Sequence, residues 1–143
     1  MENIVSHTEI VNASLHEVWK HLLFKIDNPQ YFVPNVSDVQ MLQKTTDDTI
    51  RKMTVTMPNQ SMTIVEKITA SPYCVKFEIM EHPMFIGYVT NVAEEIDEQS
   101  TRLTYAMNWY NKQTNESANN LDILKAAVNK SKQYIEQEKK SVK

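Results

Sequence analysis

Ser61-Met62-Thr63-Ile64-Val65-Glu66-Lys67-Ile68-Thr69-Ala70-Ser71, then Pro72-Tyr73, then Cys74-Val75-Lys76-Phe77-Glu78-Ile79-Met80, is the stretch that decides how this chain folds. Apolar residues recur at every second position on both sides of a proline-containing separator. That is the pattern of two half-buried strands joined by a tight turn, and a short connector makes them antiparallel neighbours. Successive side chains of a strand point to opposite faces. Met62, Ile64, Glu66 and Ile68 therefore share one face of the first strand, and Val75, Phe77 and Ile79 one face of the second.

Working outward, the same period holds over roughly residues 36–44 and 49–57 before this pair and 87–96 and 101–110 after it. Thr45 to Asp48, Pro58-Asn59-Gln60, Glu81-His82-Pro83 and Asp97 to Ser100 separate the runs with turn chemistry. Six strands in succession follow. Ahead of them, residues 5–11 read as a further strand, and Ser14 with Glu17 three positions on forms a capping box. Leu15, Val18, Trp19, Leu22, Leu23 and Ile26 then trace one apolar stripe of a helix. Asn28-Pro29 stops that helix and opens a second short one through Phe32. After residue 111 a polar stretch leads to a final helix from about Glu116 to Glu138, with Leu121, Leu124, Val128, Ser131 and Ile135 along its seam and residues 139–143 expected to fray. At 1.5 Å per residue this helix is about 33 Å long, enough to lie across the full sheet.

The fold expected is α+β and of the helix-grip kind. A curved seven-stranded antiparallel sheet, with two short helices between its first and second strands, wraps a long C-terminal helix, all in one domain over residues 1–143. A chain of 143 residues with 41% hydrophobic content can build one sizeable core without disulfides. A formal charge of −3 creates no basic field, so nucleic acid is not an expected partner. The sole glycine, Gly87, leaves no glycine-rich phosphate loop and no G-x-S-x-G nucleophile elbow. Cys74 has no second cysteine, the start of the chain does not read as a signal peptide, and no run reaches the roughly 18 apolar residues of a membrane span. A cytoplasmic protein is expected. His16 and His21 lie five apart on one helix, and His7 and His82 fall on a strand and a turn, so neither a metal nor any other cofactor is expected.

The order of elements, with Asn28 to Pro34, Val65 to Thr69, Pro72 to Phe77 and Thr90-Asn91 as local matches, resembles the START/Bet v 1-like (SRPBCC) superfamily and most of all its AtaL-like branch. The resemblance spans residues 5 to about 135. It implies a cavity between sheet and long helix that holds a small apolar or amphipathic molecule, and in some members cyclisation or dehydration of that molecule. Fold alone does not assign the function.

Alternation makes Arg51, Met53, Val55 and Met57 the inward set of one strand and Leu103, Tyr105, Met107 and Trp109 that of the last. The strand from 87 to 96 is ambiguous, since Tyr88, Thr90 and Val92 or Val89, Asn91 and Ala93 fit equally. With tight hairpins, Met53, Glu66, Ile79, Tyr88 and Trp109 form one row, with Arg51 diagonal to Glu66. The candidate ligand wall is therefore Arg51, Met53, Glu66, Phe77, Tyr88, Tyr105, Met107 and Trp109. A carboxylate on an apolar wall needs a partner, a proton or water. Two readings stay open for Glu66: a packing ion pair with Arg51, or contact with a ligand. The expected function is binding of a small aromatic, polyketide-like or lipid-like molecule. The alternatives are an enzyme of the cyclase or dehydratase type with Glu66 as acid or base, and a partner-binding module of co-chaperone type.

Overall fold

The computed structural model describes residues 4–141. In chain order its elements are β1 (Val5–Val11), α1 (Leu15–Asp27), a 3-10 turn (Pro29–Tyr31), β2 (Val36–Lys44), β3 (Asp48–Thr56), β4 (Ser61–Ser71), β5 (Cys74–Glu81), β6 (Phe85–Asp97), β7 (Ser100–Asn111) and α2 (Leu121–Ser141). The expected second short helix is thus a single 3-10 turn.

All seven strands join one curved antiparallel sheet in the order β1-β7-β6-β5-β4-β3-β2. Strands β2 to β7 form a meander because every connector is short. β1 lies at one edge beside β7 and β2 at the other, so the segment joining β1 to β2 must cross a face of the sheet. That segment is α1 and the 3-10 turn. Ser14 Oγ accepts from the backbone N–H of Glu17, and the Glu17 carboxylate accepts from the N–H of Ser14, which closes the capping box and fixes where the crossing begins. Val18, Leu22 and Ile26 bury the lower face of α1 against the sheet, each contributing about 1.5–3 kcal/mol.

The core runs from Val11 and Ala13 through Val18 and Leu22 to Leu103 and Val128. α2 does not lie across the whole sheet. It packs chiefly on β1, with β7 and α1 as lesser neighbours, because α1 already occupies part of the same concave face. Its start is later than the sequence suggests. Asn119 Oδ1 accepts from the Trp109 N–H, the Ala118 N–H donates to the Trp109 carbonyl, and Ser117 bridges Tyr110, so residues 117–119 continue along β7. Asn120 Oδ1 then accepts from the Ile123 N–H and opens the helix. Lys139 and Lys140, expected to fray, belong to α2, and residues 142–143 lie outside the described ones.

The two edges are built differently. On β1, Lys132 Nζ donates to the Ile10 carbonyl, Lys139 Nζ to the Asn12 carbonyl, and the Asn12 N–H donates to the Glu136 carboxylate. β2 meets β3 with two register irregularities, between Ser37 and Gln40 and between Met41 and Gln43, and Asp38 within it has φ 50°. Gly87 is required where it stands: its φ is 126°, and a Cβ there would lie 2.0 Å from the Asn108 carbonyl oxygen.

Candidate functional site

Strand register sets the concave face. β3 and β4 pair Arg51 with Glu66 and Met53 with Ile64, and β4 pairs Glu66 with Ile79. Arg51 is therefore directly opposite Glu66 and not diagonal, because the hairpin turns on Pro58-Asn59, one residue earlier than a turn centred on Asn59-Gln60. A two-residue change of register keeps every side chain on its face. Tyr88 is different. β5 pairs Phe77 with Val89 and Glu78 with Tyr88, and β6 pairs Val89 with Met107 and Tyr88 with Asn108. This register is one residue away from the row expected, and a one-residue change reverses the face. Tyr88 accordingly lies on the convex side, its ring 4.8 Å from the Lys76 ammonium, and does not line the proposed wall. Val89, Asn91 and Ala93 are the inward set of β6.

Of the other expected wall residues, Arg51, Met53, Glu66, Tyr105 and Met107 are buried, while Phe77 and Trp109 face the same side and are half-buried. Met57 projects beyond the end of β3 and is exposed. Arg51 Nη2 donates to Glu66 at 2.7 Å, and Nη1 donates to the Ile26 carbonyl at 2.9 Å. The guanidinium also stands 5.6 Å from the Phe77 ring. Glu66 thus finds its counter-charge in Arg51, which also takes up a carbonyl at the C-terminal end of α1, where a cation is favoured.

The feature that sequence reasoning missed is Lys25. It belongs to α1, three residues after Leu22 and seven after Val18, at a position where the apolar stripe calls for an apolar residue. A charge at such a position was the available signal. Asn91 was a second one, a polar residue between the inward-facing Val89 and Ala93. Lys25 Nζ donates to Asn91 Oδ1 at 2.8 Å and to the Tyr105 hydroxyl at 2.6 Å, and that hydroxyl is 2.6 Å from Ser131 Oγ on α2. The ammonium lies 4.2 Å from the Tyr105 ring centroid and 5.8 Å from that of Phe77. Among the described residues, the ion pairs are His7–Glu9, Lys44–Asp27, Arg51–Glu66 and Lys132–Glu136, so Lys25 has no carboxylate partner. Loss of hydration on burial, reinforced by the positive charge of Arg51, pushes its pKa down to about 7. Burial also pushes the Tyr105 hydroxyl up, so the phenol stays protonated.

Aromatic rings lie on either side of this polar track, with His21 one helical turn before Lys25 on α1 and Trp109 four residues after Tyr105 on β7. Between α1 and α2 lies a groove of about 500 Å³ lined by residues including Lys20, His21, Phe24, Tyr134 and Ile135. His21, Phe24, Phe32 and Tyr134 pack ring against ring there, with centroid distances of 5.1 to 6.1 Å. Neither ring nitrogen of His21 has a partner, and burial, helped by the Lys25 charge, pushes its pKa down to about 3, so it is a neutral aromatic member of the cluster. At the other end, Trp109 packs near Phe85 and His82, and its indole N–H is buried without a partner. Among the described residues no group of three or more His, Cys, Asp or Glu side chains converges as a metal cluster would. No helix among them is long and apolar enough to cross a membrane.

A family model, Acetylaranotin biosynthesis cluster protein L (AtaL), matches residues 5–143. A search of curated proteins found no match. Among solved structures the chain is similar to the Zhui aromatase/cyclase from Streptomyces sp. R1128, with 17% identity, a TM-score of 0.74, and 96% of this chain aligned with 95% of that one. It is also similar to norcoclaurine synthase from Thalictrum flavum in complex with dopamine and hydroxybenzaldehyde, with 13% identity, a TM-score of 0.71, and 94% and 87% covered. A START superfamily protein from Mycobacterium smegmatis aligns with 14% identity, a TM-score of 0.68, and 98% and 99% covered. At these identities the likeness is one of fold.

Proposed function

The chain belongs to the AtaL family within the START/Bet v 1-like superfamily, and on that premise we propose that it binds a small apolar or amphipathic molecule against the concave face of its sheet. The observation that carries this reading is the combination of half-buried Phe77, Val89 and Trp109 on that face with the Lys25 ammonium, which has no counter-ion. Apolar area left incompletely covered by protein favours an apolar ligand body, at about 25 cal/mol per Å² removed from water. A few convergent polar groups then fix its orientation. Lys25, Asn91 and Tyr105 are those groups, and they suit an oxygen-bearing end of the ligand. That the Zhui protein is an aromatase/cyclase and the Thalictrum synthase was crystallised with dopamine and hydroxybenzaldehyde supports an aromatic or polyketide-like ligand.

The test is native mass spectrometry of the purified protein, followed by denaturation and identification of any released molecule, with a parallel titration by an apolar aromatic probe read through tryptophan fluorescence. Release of one compound, or saturable binding weakened by Phe77→Asp, is expected. A protein that releases nothing and gives no saturable fluorescence change would remove the reading. The enzymatic alternative is favoured by one observation: Lys25 is a proton donor with a depressed pKa, whereas Glu66 is held by Arg51. Any acid–base role therefore moves from Glu66 to Lys25 with Tyr105.

A further inference from the structure

The geometry points to Lys25 as a nucleophile that forms a reversible imine with an aldehyde or ketone ligand held on the concave face; this inference rests on the binding reading above. Both protein partners of the amine, Asn91 Oδ1 and the Tyr105 hydroxyl, are neutral, and Lys25 forms no ion pair. An ion pair would hold the nitrogen protonated and bar attack. Here the nearby charge is Arg51, a cation, whose own carboxylate partner is Glu66. A desolvated lysine beside a second cation is the environment that frees an amine lone pair near neutral pH. The depressed pKa of about 7 agrees with that geometry, and it leaves roughly a thousandfold larger free-amine fraction than an exposed lysine has at the same pH.

The neighbours also match the proton movements the reaction needs. The neutral amine adds to the carbonyl carbon, the C–N bond forms, and the carbonyl π pair moves to oxygen. Tyr105, whose hydroxyl is 2.6 Å from Nζ and still protonated, stands where it can donate to that oxygen, and Ser131 at 2.6 Å can return a proton to Tyr105. The carbinolamine C–O bond then breaks, and the oxygen leaves as water with the two protons formerly on nitrogen. One amine and one carbonyl become one imine and one water, with no oxidant or reductant required. The half-buried Phe77 ring, 5.8 Å from the ammonium and paired in register with Val89, offers an apolar surface for a conjugated carbonyl compound.

The experiment incubates the intact protein with cinnamaldehyde and sodium cyanoborohydride at neutral pH, and reads intact mass and peptide maps. The expected product is one adduct per chain, heavier by the probe less one oxygen atom, mapping to Lys25 and forming at least roughly tenfold faster than adducts at surface lysines. Lys25→Arg, checked as folded by circular dichroism, should lose that adduct. Cinnamyl alcohol and cinnamate serve as probes that fit the same surface but cannot form an imine. Binding of either without any Lys25 adduct from the aldehyde would overturn the imine while leaving the binding reading intact. Failure of all three probes to bind, with adducts scattered over surface lysines, would overturn both.

Discussion

Replacing Lys25 by methionine should stabilise the protein at pH 6 and destabilise it in strongly alkaline solution. The Lys25 pKa falls from 10.5 to about 7 on folding, a difference worth about 5 kcal/mol at about 1.4 kcal/mol per unit. Below pH 7 both folded and unfolded chains carry the proton, so the whole cost of burying the ammonium is present. Between pH 7 and 10.5 the unfolded chain binds more protons than the native one, and stability rises with pH. Above 10.5 both forms are neutral and the cost is gone. Methionine keeps the stem and removes the charge, but leaves Asn91 Oδ1 without its donor, a loss of about 1–3 kcal/mol; Tyr105 still has Ser131. The variant should thus be more stable than the parent by about 3 kcal/mol at pH 6, equivalent to about 10 °C in melting temperature. Urea unfolding of both proteins at several pH values would show this advantage shrinking by about 3 kcal/mol between pH 6 and pH 9.5. The other lysines titrate alike in both proteins and cancel in the difference. A difference that stays constant across that range would refute the depressed pKa, and with it the amine chemistry built on it.

Glu66→Gln preserves shape and one acceptor but leaves the Arg51 charge buried without its counter-ion, so calorimetry should find a loss of about 3 kcal/mol. The double change of Glu66 to Gln and Arg51 to Met should recover most of that, and an unchanged melting temperature in the single variant would show that the pair is not the partnership described. Gly87→Ala would drive its Cβ against the Asn108 carbonyl 2.0 Å away at a φ of 126°, and should cost more than about 3 kcal/mol, visible as lost thermal cooperativity. A variant melting within a few degrees of the parent would mean that β6 and β7 can part there freely.

Most of the architecture was legible because it depends on local chemistry. The capping box of Ser14 and Glu17, the proline at the 3-10 turn and the period-two runs each act within a few residues, and the elements appear where those signals place them. What was not legible depends on counting across a turn. The link between β5 and β6 through His82 and Pro83 sets a register one residue from the one inferred, and this alone moves Tyr88 to the convex face while bringing Asn91 inward. The β3–β4 hairpin also differs in register, but by an even number, so Arg51 and Glu66 keep their face and meet directly. Lys25 is hidden in the sequence for another reason. A lysine on an apolar stripe reads as a side chain whose head escapes to water, and only the positions of Asn91, Tyr105 and Ser131, from three separate elements, give its ammonium a reason to turn inward. The start of α2 was likewise set by bonds from Ala118 and Asn119 to Trp109, which no window on the helix itself contains.

The unlike construction of the two sheet edges bears on how this chain avoids sticking to copies of itself. An open sheet offers unpaired amides and carbonyls at each border, and a flat border is a template on which another strand can add. At β1 the exposed backbone of Ile10 and Asn12 is already bonded by Lys132, Lys139 and Glu136. At β2 two irregularities and the left-handed Asp38 break the even spacing that an incoming strand would need. β1 pairs with β7, almost a hundred residues later in the chain (Thr8 with Thr104), and such distant contacts form slowly. Without α2 in place the β1 border has only its own side chains to guard it, so loosening of α2 is what would open that border to an incoming strand.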